Sequence, residues 1–131
     1  MAVRSYAQLI AQCQALDDYL NAAEVGSLIC NVIDSLSPTV IEIDDTDSPY
    51  TATDPNGVIA ADSTSGDITV VLSAVVEGAI TTIKKNDTSQ NTITVDGDGS
   101  ETIDGDLTTV LTGANRPSIT LIGTTGGWVI I

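Results

Sequence analysis

The sequence predicts a mainly β protein with a short N-terminal α-helical part, folded as an antiparallel β-sandwich or a jelly-roll-like barrel. From Thr39 onward apolar residues alternate with threonine, as in Ile68-Thr-Val-Val-Leu72, which is typical of strands with one buried face. Such segments recur about every ten residues with Gly-, Asp- and Asn-rich turns between them, the spacing of a sandwich or barrel. The core is aliphatic, because aromatic residues make up 3 % of the chain and phenylalanine is absent. A core this thin favours association with further copies of the chain.

The first element is an amphipathic helix predicted from residue 5 to about residue 23. Ser5 is a suitable N-cap, and Gln8 three residues later completes a capping box. Apolar or small residues recur at alternating steps of three and four, a heptad-like stripe too short to form a stable coiled coil alone. We therefore expect this stripe to pack on sister helices or on another protein. Its members are Tyr6, Leu9, Cys13, Leu16 and Leu20, followed by Ala23.

A second short helix is predicted before Pro38, after Gly26 has ended the first. Leu28, Ile29, Val32, Ile33 and Leu36 continue at helical spacing, although a buried strand over residues 28–33 is the alternative for so short an apolar run. Pro38 then marks the domain boundary. Residues 1–36 are interpreted as a docking and trimerisation region, and residues 39–131 as the β-domain.

Nine strands are predicted in the β-domain. The acidic segment Asp44–Pro49 is read as a loop, and Asp54-Pro-Asn-Gly57 as a tight hairpin turn. Ile80 and Ile83 break the alternation and predict a bulge or bend, while Lys84-Lys85 is interpreted as discouraging edge pairing. The predicted strands are Val40–Ile43, Tyr50–Thr53, Val58–Asp62, Ile68–Leu72, Ala79–Lys84, Asn91–Val95, Leu107–Leu111, Ser118–Ile122 and Trp128–Ile131.

The charge balance excludes whole classes of partner. Eighteen acidic residues face four basic ones, so the chain cannot neutralise a phosphate track or approach an anionic membrane. The acid excess is interpreted as solubility and turn chemistry, with a basic partner surface or weak divalent-ion binding as alternatives. Cys13 and Cys30 are interpreted as small buried apolar residues. With no signal peptide and no apolar run of membrane-spanning length, we expect a soluble product made in the cytosol.

Candidate catalytic groups are absent from the sequence pattern. The chain has no histidine, which removes Ser-His-Asp and Cys-His systems, and no glycine-rich phosphate loop. The segment Asp96–Asp106 copies the start of a calcium loop, but Glu101 and Leu107 occupy the positions that require Gly and Glu. We interpret it as turn-forming and predict no metal, no cofactor and no catalytic residue. Trp128 is interpreted as a core anchor, with a sugar-stacking platform as the alternative.

The β-domain resembles the small β-domains of tailed-phage virion proteins, which include tail fibres and head decoration or head-fibre proteins. The resemblance extends from about Val58 to Ile131 and implies a homotrimer without catalysis. It does not distinguish the head of the virion from the tail. The matching segments are Gly66–Leu72, Ile83-Lys84, Thr92–Gly105, Ile119–Ile122 and Gly127–Ile130.

The resemblance and the short chain together predict a virion structural protein. The first hypothesis is a trimeric capsid decoration protein, made in the host cytoplasm and bound to the major capsid protein through residues 1–36, because receptor-binding fibres carry shafts or tip domains for which there is no room here. The alternative is a tail-fibre or baseplate component that recognises a host glycan. A polysaccharide-degrading enzyme is the remote alternative, since two carboxylates facing across a cleft are not indicated.

Overall fold

The computed structural model describes the backbone of residues 5–20 and 38–131, and side chains in 5–14 and 38–131. The chain divides into two compact units, Met1–Pro38 and Thr39–Ile131. The predicted second helix, the helix end at Gly26, and Cys30 lie outside the described residues. Within those residues, no helix has the length and apolar character that crossing a membrane requires.

Helix α1 spans Tyr6–Leu20 and begins at the predicted capping box. The Ser5 backbone N–H donates to Gln8 Oε1 (2.8 Å), and the Gln8 N–H donates to Ser5 Oγ (3.2 Å). These two bonds satisfy backbone donors that the first helical turn leaves without intrahelical partners. The capping prediction is therefore confirmed.

The second unit is built from nine strands at almost the predicted positions. A 3-10 helix, Asp45–Asp47, lies in the acidic loop, which ends at a cis peptide bond before Pro49. The strands are β1 (Val40–Asp44), β2 (Tyr50–Thr51), β3 (Gly57–Asp62), β4 (Ile68–Val71), β5 (Ile80–Lys85), β6 (Ile93–Asp96), β7 (Thr108–Leu111), β8 (Ser118–Thr124) and β9 (Gly127–Ile130).

The strands form two mixed sheets, of order β1-β3-β5-β8-β9 and β2-β4-β6-β7. Strands β1 to β6 alternate between the sheets. Each of β1 to β4 pairs in parallel with the strand two places further along the chain. The chain thus winds through three coils, like a short solenoid, before β7, β8 and β9 pair antiparallel. The prediction of a mainly β unit is confirmed, but the antiparallel sandwich or closed barrel is wrong. Alternation has the same period in parallel and antiparallel strands, so it could not reveal the winding.

The core of this unit lies between the two sheets. Apolar residues stack in register from coil to coil, for example Ile59 beside Ile83 and Val70 beside Val95. The core is aliphatic apart from Trp128, which is 1 % exposed, and this confirms the indole as a core anchor. The buried members are Ile43, Ala52, Ile59, Ala61, Ile68, Val70, Leu72, Ala79, Ile83, Ile93, Val95, Ile103, Leu111, Leu121 and Trp128.

Two local predictions are wrong for reasons of topology. The Asp54–Gly57 segment joins β2 to β3, which belong to different sheets, so it is not a hairpin turn. Gly57 nevertheless adopts a φ of 141°, a backbone conformation that side chains disfavour. The bulge at Ile80 is absent as well, because β5 pairs with β8 in unbroken register and the Ile80 side chain simply points outward.

Candidate functional site

The predicted helical stripe is exposed at its N-terminal end. Tyr6 is 41 % exposed and Leu9 is 38 % exposed, although an apolar side chain on a packed helix would be buried. Cys13 is buried, as predicted, but it is disulfide-bonded, which differs from its interpretation as a small apolar residue. The helical backbone continues through Leu16 and Leu20, whose side chains lie outside the described residues. The first turns of α1 therefore present apolar surface.

The Asp96–Asp106 segment has the turn-forming role predicted for it. Gly99, Asp104 and Gly105 adopt φ values of 59°, 50° and 94°, in the left-handed region where glycine and aspartate are favoured. A Cβ at Gly97 would collide with the backbone carbonyl of Glu101. Among the described residues, no three acidic or cysteine side chains are grouped closely enough to hold a metal ion.

The same segment closes one end of the β-unit. The Glu101 carboxylate accepts the Val75 N–H with both oxygens at 3.0 Å. Ile103 is buried and bridges to Trp128, while Asp104 Oδ1 accepts the Ile130 N–H at 3.2 Å. The segment thereby covers the edge of β9, the last strand of its sheet. Because Trp128 is buried beneath it, the indole offers no platform for stacking a sugar.

A buried polar cluster joins the second coil to the third. The Lys85 side chain is fully buried and ion-paired with Asp87, and its Nζ also donates to Ser63 Oγ (2.7 Å) and Ser89 Oγ (3.0 Å). Asp87 Oδ2 accepts from the backbone N–H and the hydroxyl of Ser63, at 2.7 and 2.9 Å. Asn91 Nδ2 donates to the Ser63 carbonyl at 2.8 Å. Every charged group in the cluster is thus paired and hydrogen-bonded.

Asp87 stays ionised within this cluster. Burial by itself would raise the pKa of the carboxyl, but hydrogen bonds from Lys85, from the hydroxyl and backbone of Ser89, and from the backbone of Ser63 outweigh it. They hold the pKa of Asp87 well below its usual range. The proximity of Lys85 to Ser63 superficially copies a Ser-Lys nucleophile pair. Both residues are fully buried, however, and the salt bridge to Asp87 gives Lys85 a structural role.

Sequence reasoning missed this cluster and misread one of its members. Strand β5 lies in the middle of its sheet, so Lys84-Lys85 does not guard an edge. One signal was present: Lys85 lies two residues after the inward-facing Ile83 and therefore falls on the same face. An acid at Asp87, two residues further on, was the natural partner for a buried lysine.

The opposite end of the β-unit, at β1 and β2, contains a cleft of about 200 Å³. Ile41 and Tyr50 are half-buried in its walls, whereas Ala52 and Ile59 form buried parts of its lining. The remaining lining is polar or small. The lining residues are Thr39, Ile41, Tyr50, Ala52, Thr53, Asp54, Asn56, Gly57, Val58, Ile59 and Thr81.

The polar atoms around the cleft are largely bonded to one another. Thr81 Oγ1 donates to the Pro55 carbonyl at 2.7 Å. Asn56 Oδ1 accepts the Ile80 N–H at 3.0 Å, and Asp54 Oδ1 accepts the Asn56 N–H at 2.9 Å. These groups therefore shape the cleft, and they leave its aliphatic and tyrosine walls as the surface available for contact.

No protein-family model matches this chain, and no curated protein matches it at a significant level.

Proposed function

We propose that the chain is a non-catalytic structural protein of a tailed-phage virion. In this proposal it is a trimeric capsid decoration protein that binds the major capsid protein through residues 1–36. The observation that carries the proposal is the exposure of Leu9 on α1. Apolar side chains on one face of a short helix need a protein partner to remove them from water.

The β-unit has the properties of a part that faces solvent. Most of the eighteen acidic residues lie beyond Thr39, and a strongly acidic surface keeps particles apart by repulsion. The charged groups of its buried cluster, Lys85 and Asp87, are paired with each other and are not accessible to a substrate. This supports a structural role over a catalytic one. The burial of Trp128 leaves no exposed indole for stacking a sugar, which supports decoration over glycan recognition. The resemblance to phage β-domains over Val58–Ile131 supports a virion origin.

A matched pair of variants in the full-length chain tests the docking role of α1. Leu9→Asp places a charge on the apolar stripe, whereas Gln14→Asp places the same charge at an exposed position outside it. We expect Leu9→Asp to reduce the trimer in sedimentation and the number of copies on purified virions, and Gln14→Asp to retain both. Equal incorporation of the two variants would overturn the docking role. A wild-type count of only a handful of copies per virion would overturn decoration in favour of a tail component.

A further inference from the structure

The two ends of the β-unit differ in how they are closed. At the β9 end, the segment around Ile103 and Asp104 covers the last strand of the larger sheet. At the other end, β1 is the terminal strand of the same sheet, and no strand within residues 38–131 lies beyond it. A solenoid end needs a cap because its outermost coil has a partner on one side only.

The free backbone groups of β1 can be assigned from its hydrogen bonds. The Val58 N–H donates to the Thr39 carbonyl at 2.8 Å. In a parallel pair, every second residue directs both its N–H and its C=O at the neighbouring strand. Thr39, Ile41 and Ile43 therefore face β3, and the N–H and C=O groups of Val40 and Glu42 point to the outer edge. The next outward N–H, that of Asp44, is taken by Asp47 Oδ2 at 3.0 Å. Within the part of the chain that the structure describes, the open edge therefore consists of Val40 and Glu42.

The side chains around this edge specify what could pair with it. A strand added beside β1 would place alternate side chains over the cleft walls formed by Ile41 and Tyr50, which suits aliphatic residues. Its other side chains would lie beside the exposed Glu42, where a cation is favoured. Asp44, Asp45 and Asp47 extend the acidic surface, and the sequence has no lysine or arginine from Thr39 to Ile83.

We propose that the β1 edge and its cleft bind an extended segment of a partner protein in which aliphatic residues alternate with lysine or arginine. The partner strand extends the larger sheet, and main-chain hydrogen bonds to Val40 and Glu42 hold it there. A second copy of this chain does not supply such a segment, because no strand within residues 38–131 alternates aliphatic residues with lysine or arginine. The surface is distinct from α1 and goes beyond the proposed docking role.

Amide hydrogen exchange on the full-length protein tests the proposal. The probe is a capped pentapeptide, Val-Lys-Val-Lys-Val, with Val-Glu-Val-Glu-Val as its matched control. We expect the lysine peptide to slow exchange at the Val40 and Glu42 amides. Exchange at Ile41 and Ile43, whose amides already bond to β3, should not change. If the Val40 and Glu42 amides are already protected before any peptide is added, the edge is occupied and the proposal is overturned. Equal protection of these amides by both peptides would overturn it as well.

A charge-reversal pair separates the edge from the general acidity of the protein. We expect Glu42→Lys to weaken binding of the lysine peptide by roughly five- to tenfold, since one exposed ion pair is replaced by a repulsion. Asp98→Lys makes the same change in net charge at an exposed position after β6 and should alter binding less than about twofold at moderate ionic strength. Equal weakening by the two variants would show that only net charge attracts the peptide, and would overturn the assignment of the edge.

Discussion

Replacing Lys85 tests whether the buried polar cluster stabilises the β-unit. Lys85→Met keeps much of the side-chain length but leaves the Asp87 carboxylate buried without its cation. We expect a loss of about 3–5 kcal/mol in the free energy of unfolding, the usual cost of removing one partner of a buried ion pair. Lys84→Met is the matched control, because Lys84 is only half-buried and donates to the Arg116 carbonyl. Its cost should stay below about 1 kcal/mol. Urea denaturation measures both, and equal losses would contradict a structural role for the cluster.

Asp87 also makes stability depend on pH at the acid end. Its folded-state pKa lies below its usual range despite burial, because of the hydrogen bonds from Lys85, Ser89 and Ser63. A lowered folded-state pKa contributes stability that is fully present above the unfolded pKa of about 3.9 and is lost as pH falls toward the folded value. The melting temperature of Asp87→Asn should therefore be lower than that of the wild type at neutral pH. The difference between the two melting temperatures should become smaller below about pH 4. A gap that stays constant on acidification would exclude this contribution.

Single residues could be predicted from the sequence where their interaction partners lie close by in the chain. Ser5 and Gln8 lie three positions apart, so their capping box could be read from the sequence and is confirmed. Trp128 was correctly assigned to the core because a single large ring among aliphatic strands has few other places to pack. Asp87 and Ser63 are 24 positions apart in the chain, and only the winding brings them together.

At the scale of elements, the loop from Gly97 to Asp106 is sensitive to one added methyl group. Gly97→Ala places a Cβ against the Glu101 carbonyl, which is backbone and cannot swing away. We expect a loss of about 1–3 kcal/mol in the free energy of unfolding, typical of overpacking. Gly126→Ala is the control, because a Cβ there meets nothing within 4 Å. Thermal melts of the two variants make the comparison, and a silent Gly97→Ala would show that the loop can rearrange.

The elements themselves were predictable, whereas their partners were not. Alternation and turn residues located all nine strands to within a few positions, because both signals arise from neighbouring residues. Strand pairing depends on residues that are distant in the chain, such as Val40 with Val58 and Ile80 with Ile122. Thr- and Val-rich strands suit parallel and antiparallel neighbours alike. The Asn-Gly pair at residues 56–57 predicted a hairpin, but it lies between two sheets. A positive φ at Gly57 suits a turn between sheets as well as a hairpin turn.

At the scale of the whole molecule, the β-unit is a wound structure in which residues 97–106 cover the edge of β9, and no strand within residues 38–131 covers β1. The sequence predicted a change of structure near Pro38 and a mainly β unit beyond it. The open edge at β1 could not be predicted, because it exists only once β1 is known to be a terminal strand. The stripe on α1 was visible in sequence, and the structure describes exposed side chains for its first two members, Tyr6 and Leu9.

The pairing of β5 with β8 has a consequence for how the protein is made. Strand β5 carries Lys85 and lies in the middle of its sheet, yet its neighbour β8 begins only at Ser118. While the ribosome is still synthesising the last part of the chain, the larger sheet therefore ends at β5, with a row of unpaired backbone groups facing water. A chain cut short before Ser118 would keep that row exposed and would also lack Trp128. Such a chain would be a ready target for proteases, because the backbone edge of β5 stays accessible until β8 pairs with it.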